Sequence, residues 1–157
     1  AAGIEAVVCG FAGECSLEEI ERRVAACAQA RVEGVIAAGG GTIVNVTSEA
    51  GLRGACAGAA YSTSKAALIG FTKNTAFMYA PDGIRVNAVA PGAVLTNIEA
   101  PFKSELAAVR LGPLFQAIVP APAQSEQLAA AITWLASDDS ANVNGAILPS
   151  DGGWSAI

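Results

Sequence analysis

The chain has 157 residues, 53% of them hydrophobic and 15% charged, with 9 Lys and Arg against 14 Asp and Glu and no histidine. That balance leaves no basic surface for nucleic acid, and no apolar run reaches the roughly 18 residues of a membrane span. Without histidine there is neither a Ser-His-Asp triad nor a Cys/His zinc set, and no metal is expected.

Cys9, Cys15, Cys27 and Cys56 show no C-x-x-C spacing, so they read as small buried residues of a reducing compartment. The N-terminus lacks the basic-then-apolar layout of a signal peptide, and a cytoplasmic protein follows as the expectation. One domain over residues 1–157 is expected from length and hydrophobic content.

Residues 1–15 mix small apolar residues with Gly3, Gly10 and Gly13, and Ala6-Val7-Val8-Cys9 is at most a short strand. Ser16-Leu17-Glu18-Glu19 is a capping box that opens a helix expected from about Leu17 to Ala37. Leu17, Ile20, Val24, Cys27 and Ala28 supply its apolar face, and Gly34 weakens its last turns. Gly39-Gly40-Gly41 precedes a strand instead of linking strand to helix, which makes it a turn and not a phosphate loop.

An apolar run at 43–46 ends in hydroxyls at Thr47 and Ser48, and Tyr61 and Lys65 then open a helix expected over Ala59 to Ala80. Residues four apart share a helix face, where the Lys65 ammonium favours the ionised form of the Tyr61 phenol and suits it to proton exchange with a substrate hydroxyl or carbonyl. Leu68, Ile69, Phe71, Phe77 and Met78 make this helix apolar on more than one side, which points to a subunit interface.

Pro81-Asp82-Gly83 is a turn, and alternation from Ile84 through Val89 makes a strand stopped by Pro91-Gly92. Thr96 to Pro122, with four prolines, is irregular and is either a surface loop with a short helix covering the sheet edge or a lid that closes over a substrate. Ser125 caps a last helix, Glu126 to Ala136; Asn144-Gly145 is a turn, and Ala146-Ile147-Leu148 is a final strand. Alternating strands and helices predict an α/β three-layer sandwich with a parallel sheet, with ligands at the carboxyl ends of the strands.

Ser48 thirteen residues before Tyr61-Ser-Thr-Ser-Lys65, then Pro91-Gly92-Ala-Val94-Leu-Thr96, then Ser150-Asp151-Gly152-Gly153, resemble the short-chain dehydrogenase/reductase family in its classical branch. The resemblance runs from about Gly39 to Trp154, and Ala2-Gly3 looks like the end of the family's Asn-Asn-Ala-Gly motif. It implies a Rossmann-like sheet truncated in its N-terminal half, and hydride transfer between a nicotinamide and a carbonyl or secondary alcohol. Tyr61 would be the general acid/base, Lys65 would hold the nicotinamide ribose, and Ser48 would bond the reacting oxygen. Pro91, Gly92, Val94 and Thr96 would fix the nicotinamide amide and the nearby phosphate.

The family's catalytic asparagine has no counterpart: its position falls on Cys27 counting from Ser16 and on Ile20 counting back from Ser48. No Gly-x-x-x-Gly-x-Gly turn lies upstream of Ser48, so the half that holds the adenosine and pyrophosphate of NAD or NADP is missing. Two readings stay open: the carboxyl-terminal half of an NAD(P)-dependent oxidoreductase acting on a small molecule as a homo-oligomer, or a non-catalytic α/β module acting through helix association. Either way the strand at 43–46 needs an edge partner, from residues 6–9, from another chain or through aggregation.

Overall fold

The computed structural model describes residues 34–35, 41–96 and 104–157. Four strands form one sheet in the order β1 (Gly34–Val35), β2 (Gly41–Val46), β3 (Ile84–Pro91) and β4 (Ile147–Ser150). β2 pairs with β3 in parallel, Ile43 opposite Val86 and Val46 opposite Val89, and β3 pairs with β4 in parallel, Val89 opposite Leu148. The parallel core expected from the alternation of strand and helix patterns is present.

β1 corrects two expectations. Gly34 and Val35 are strand, not the closing turns of a helix to Ala37, and they run antiparallel along β2 opposite Asn45 and Val44. The glycine at the end of the helical pattern lowers helix propensity there, and an open sheet edge offers backbone bonds to replace the lost ones. β2 therefore takes its edge partner from residues just before it in the chain. Residues 6–9 and the Ser16 capping box lie outside the described residues.

Strand periodicity sends alternate side chains to two faces. Ile43 and Val86 meet Ala76 of α2 (Ala59–Met78) on one face; Val44, Val89 and Leu148 meet Leu128, Ile132 and Leu135 of α4 (Ser125–Ala136) on the other. That is the expected three-layer sandwich. Between β2 and α2 lies the short α1 (Glu49–Leu52), and between β3 and α4 lies α3 (Glu105–Ile118), capped by Ser104. The short helix expected within the irregular stretch from Thr96 to Pro122 is thus 14 residues long, with Pro113 inside it. The α4 cap is Gln124, whose side chain forms a capping box with Gln127, and Ser125 is the first helical residue.

The buried polar residues act as clamps. Asn87, wholly buried, donates to the Val143 carbonyl at 2.8 Å and accepts from the Ala146 amide at 2.9 Å. Asn144 returns the pattern, accepting from Val86 N at 2.8 Å and donating to Ala76 O at 3.1 Å, so the turn before β4 is bound to β3 and α2 together. Asn87→Ala would leave the Ala146 amide without its partner at about 1–3 kcal/mol, while the Val143 carbonyl keeps the bond from Arg85 at 3.1 Å. We expect a loss of roughly 1–3 kcal/mol, read as a lower urea midpoint at unchanged slope.

Candidate active site

The carboxyl ends of β2, β3 and β4 bring together the segments after Val46, Pro91 and Ser150. β2 stays hydrogen-bonded to the end of β3 through Thr47 N to Val89 O at 2.8 Å, and Gly92 N reaches Ser150 O at 3.1 Å. Ser48 follows as the N-cap of α1, its Oγ accepting from the Ala50 amide at 3.2 Å. An accepting hydroxyl keeps its proton to donate to another oxygen.

α2 starts two residues before Tyr61. Tyr61 is 49% exposed, whereas Lys65, one turn on, is buried at 8% with its ammonium donating to Val46 O at 3.2 Å. The ammonium also lies over the Tyr61 ring, 5.6 Å from the centroid. One lysine therefore joins the end of β2 to the first turn of α2, beside a phenol open to solvent.

Close packing fixes that lysine. Thr47 Oγ1 donates to Lys65 O at 2.8 Å, and a Cβ at Gly51 would stand 2.8 Å from Lys65 C and 2.9 Å from both Lys65 O and Thr47 Oγ1. Only a residue without a side chain lets α1 approach α2 at this point. Gly51→Ala should force α1 off Lys65, lowering stability by about 1–3 kcal/mol in thermal or urea unfolding.

Of the remaining expected residues, Pro91 ends β3 and Gly92 abuts Asp151, where a Cβ would come within 2.9 Å of the Asp151 Cα and Cβ. Val94 bridges to Ala123, with Leu95 N to Ala123 O and Ala123 N to Ala93 O both 2.9 Å. Thr96 is exposed at the end of this described segment. Cys27 and Ile20, the two positions considered for the family's asparagine, lie outside the described residues. A cavity of about 530 Å³ lined by Thr42, Arg85, Asp138 and Asn142 sits at the amino ends of β2 and β3, away from this group.

A second cluster adjoins the site that sequence reasoning did not single out. Glu49, only 1% exposed, is ion-paired with Arg53 four residues on. Arg53 also donates to Ile157 O at 2.9 Å and to Trp154 O, and its guanidinium lies 5.5 Å from the Trp154 ring centroid. Trp154 meets the Phe115 ring of α3 edge-on at 5.7 Å. The i, i+4 spacing of Glu49, the first residue of α1, and Arg53, its C-cap, was the available signal.

Burial pushes the Glu49 carboxyl above its ordinary range, against the pull of Arg53 and with help from the facing Asp151. Burial acts the same way on Asp151, but hydrogen bonds from Ser155, Gly153 and Glu49 outweigh it and hold that carboxyl low. The Cys56 thiol is raised by burial, with Arg53 opposing. Cys56 is a free, half-buried thiol in the loop after α1, less enclosed than expected.

The sequence profile of a family described as enoyl-(acyl carrier protein) reductase matches residues 22–155. A short chain dehydrogenase of Rhodocybe pseudopiperita is 45% identical over 131 residues, covering 74% of this chain and 50% of that protein. The 3beta-hydroxysteroid dehydrogenase 2 of Eggerthella lenta is 43% identical over 121 residues, covering 74% of this chain and 45% of that protein.

Among solved structures, an NAD-bound short chain dehydrogenase from Mycobacterium paratuberculosis superposes with TM-score 0.64 at 30% identity, over 75% of this chain and 46% of that one. A structure assigned as a 2-deoxy-d-gluconate 3-dehydrogenase from Agrobacterium tumefaciens, with bound NADP, gives 0.61 at 34% identity, over 75% and 48%. The chain spans about half the length of the curated relatives it matches. A parallel sheet with helices on both faces, strand ends carrying Ser48 and Pro91-Gly92, and a profile covering most of the sequence agree: this chain belongs to the short-chain dehydrogenase/reductase family.

Proposed function

We propose that this chain, residues 1–157 as one domain, is the substrate-handling half of an NAD(P)-dependent oxidoreductase that interconverts a carbonyl and a secondary alcohol. The observation that carries the reading is the buried Lys65 ammonium bridging Val46 O, two residues before Ser48, and the face of an exposed Tyr61. A bare Tyr-x-x-x-Lys pair elsewhere would leave its lysine in solvent. The relatives named above are dehydrogenases, and two superposed structures hold NAD or NADP.

The residues fit the nicotinamide end of such a cofactor. Lys65 places its ammonium at the end of β2, Gly92 keeps the turn after β3 small, and Val94 continues from it beside Ala123 towards Thr96. Among the described residues no glycine-rich strand-to-helix turn offers a site for the adenosine end. When bound, the nicotinamide would supply or take the hydride.

The chain's own groups would handle the oxygen and its proton. In reduction, Ser48 donates a hydrogen bond to the substrate oxygen while Tyr61 gives its phenolic proton to the developing alkoxide; oxidation reverses both steps. The Lys65 ammonium would hold the ribose hydroxyls and offset negative charge at Tyr61. The segment 104–118, with Leu106 and Val109 exposed, would flank the substrate.

We further propose a cytoplasmic homo-oligomer. Phe71, Phe77 and Met78 on α2 are 56%, 79% and 59% exposed, an apolar surface of the kind that subunits cover. Among the described residues no helix is long and apolar enough to cross a membrane. The reading is tested by supplying a dinucleotide-binding half, following NAD(P)H absorbance with a panel of ketones and secondary alcohols, and repeating the assay with Tyr61→Phe. Turnover indifferent to Tyr61 would overturn it.

A further inference from the structure

The 151–157 segment that follows β4 stands between the end of β3 and α1. On the β3 side Gly92 N reaches Ser150 O at 3.1 Å, and a Cβ at Gly92 would come within 2.9 Å of the Asp151 Cα, so the segment starts tight against the Pro91-Gly92 turn. Asp151 then ties the turn to itself, its Oδ1 accepting from Gly153 N at 2.9 Å and its Oδ2 from Ser155 N at 2.8 Å. On the α1 side Arg53, the C-cap of that helix, donates through Nη1 to Ile157 O at 2.9 Å and through Nη2 to Trp154 O, while its Nε is paired with Glu49. A planar fork with three bonded nitrogens holds both ends of the 154–157 turn at once, which a single ammonium cannot do.

Trp154 is buried, yet its Nε1 has no hydrogen-bond partner among the described residues. Its ring is therefore placed by packing: the Arg53 guanidinium lies 5.5 Å from the centroid, and the Phe115 ring of α3 meets it edge-on at 5.7 Å. Pro120, two residues beyond α3, approaches the same turn, its Cβ 3.1 Å from where a Cβ on Gly152 would stand. α3 thus rests on the 152–154 turn, and that turn rests on α1, whose N-cap is Ser48.

We propose that Arg53 is a positioning residue for the substrate: by fixing Trp154 it sets where α3 stands relative to the Ser48 turn. The consequence for the substrate rests on the function proposed above, in which Ser48 meets the reacting oxygen and α3 flanks the substrate. Arg53 touches neither substrate nor cofactor in that scheme, so its effect passes through Trp154 and Phe115.

The test is amide hydrogen exchange on the purified chain, read by mass spectrometry. A helix of 14 residues is marginal on its own, so protection of the α3 amides reports docking of the helix. Arg53→Lys keeps a cation for the buried Glu49 and loses the fork. We expect the amides of α3 and of 152–157 to exchange faster by about tenfold or more, while those of β2 and β3 keep their rates. Phe115→Leu leaves the Arg53 bonds in place and should speed exchange in α3 alone.

Unchanged α3 exchange in either variant would overturn the brace, because the contacts would then not hold the helix. A rise of equal size in β2 and β3 would overturn it too, since Arg53 would then serve overall stability only. In an active assembly Arg53→Lys should raise KM for the carbonyl substrate about tenfold, with kcat and NAD(P)H affinity little changed. An unchanged KM would remove Arg53 from substrate positioning. Turnover indifferent to Tyr61 would instead count against the function proposed above, and the exchange result would still decide whether Arg53 holds α3.

Discussion

Tyr61→Phe, in a polypeptide that joins this chain to a dinucleotide-binding half, is expected to lower kcat by about 100- to 10,000-fold, the range of a positioned general acid/base. The substitution removes one oxygen from a side chain that is half exposed and packs only its ring under the Lys65 ammonium. Stability should therefore hold, and so should cofactor affinity, because Lys65 keeps its bond to Val46 O. A parallel fall in thermal stability would mean that the hydroxyl is structural. Ser48→Ala is a less clean probe: it removes the donor proposed for the reacting oxygen, and it also removes the α1 cap to Ala50 N, which alone costs about 1 kcal/mol.

What could be read from the sequence follows from how local each signal was. β2, α2 and β3 announce themselves through unbroken apolar runs or helical periodicity, and Pro91-Gly92 and Gly83 mark their ends; Gly83 indeed takes φ 71°. Ser48, Tyr61 and Lys65 were legible as a set because strand end and helix start are fixed by those same runs. Burial of Lys65 was not legible, since it depends on Gly51 letting α1 close on α2.

The misses share a cause as well. Gly34–Val35 became strand because a neighbouring sheet edge outweighed a helical pattern already weakened by glycine. The length of α3 was hidden by Pro113, which breaks local propensity; the helix tolerates it because the carbonyl it would have served belongs to Val109, an exposed residue. The Gln124 cap lost to Ser125 on propensity alone, as glutamine is a poor cap until Gln127 answers it. The Glu49, Arg53, Asp151 and Trp154 cluster joins residues about a hundred positions apart, and only the parallel order of β2, β3 and β4 brings them together.

The 157-residue chain by itself is expected not to turn over NADH or NADPH at a useful rate, even with Ser48, Tyr61 and Lys65 in place. In the proposed scheme those groups act on the proton and the oxygen, whereas hydride transfer needs the nicotinamide held at near-attack distance. Holding of that kind is worth on the order of 7 kcal/mol or more, about 100,000-fold in rate. In the chain described here the available grip is one ammonium, already bonded to Val46 O, and the turn from Pro91 to Thr96 tied to Ala123. Neither reaches a pyrophosphate or an adenosine, and the described strands include no glycine-rich turn into a helix N-terminus that would. The check is a fluorescence titration of the purified chain with NADH and NADPH, then an assay against ketones and secondary alcohols with Tyr61→Phe as control. Micromolar binding together with Tyr61-dependent turnover would show that the nicotinamide end of the site suffices, and the anchoring argument would have to be abandoned.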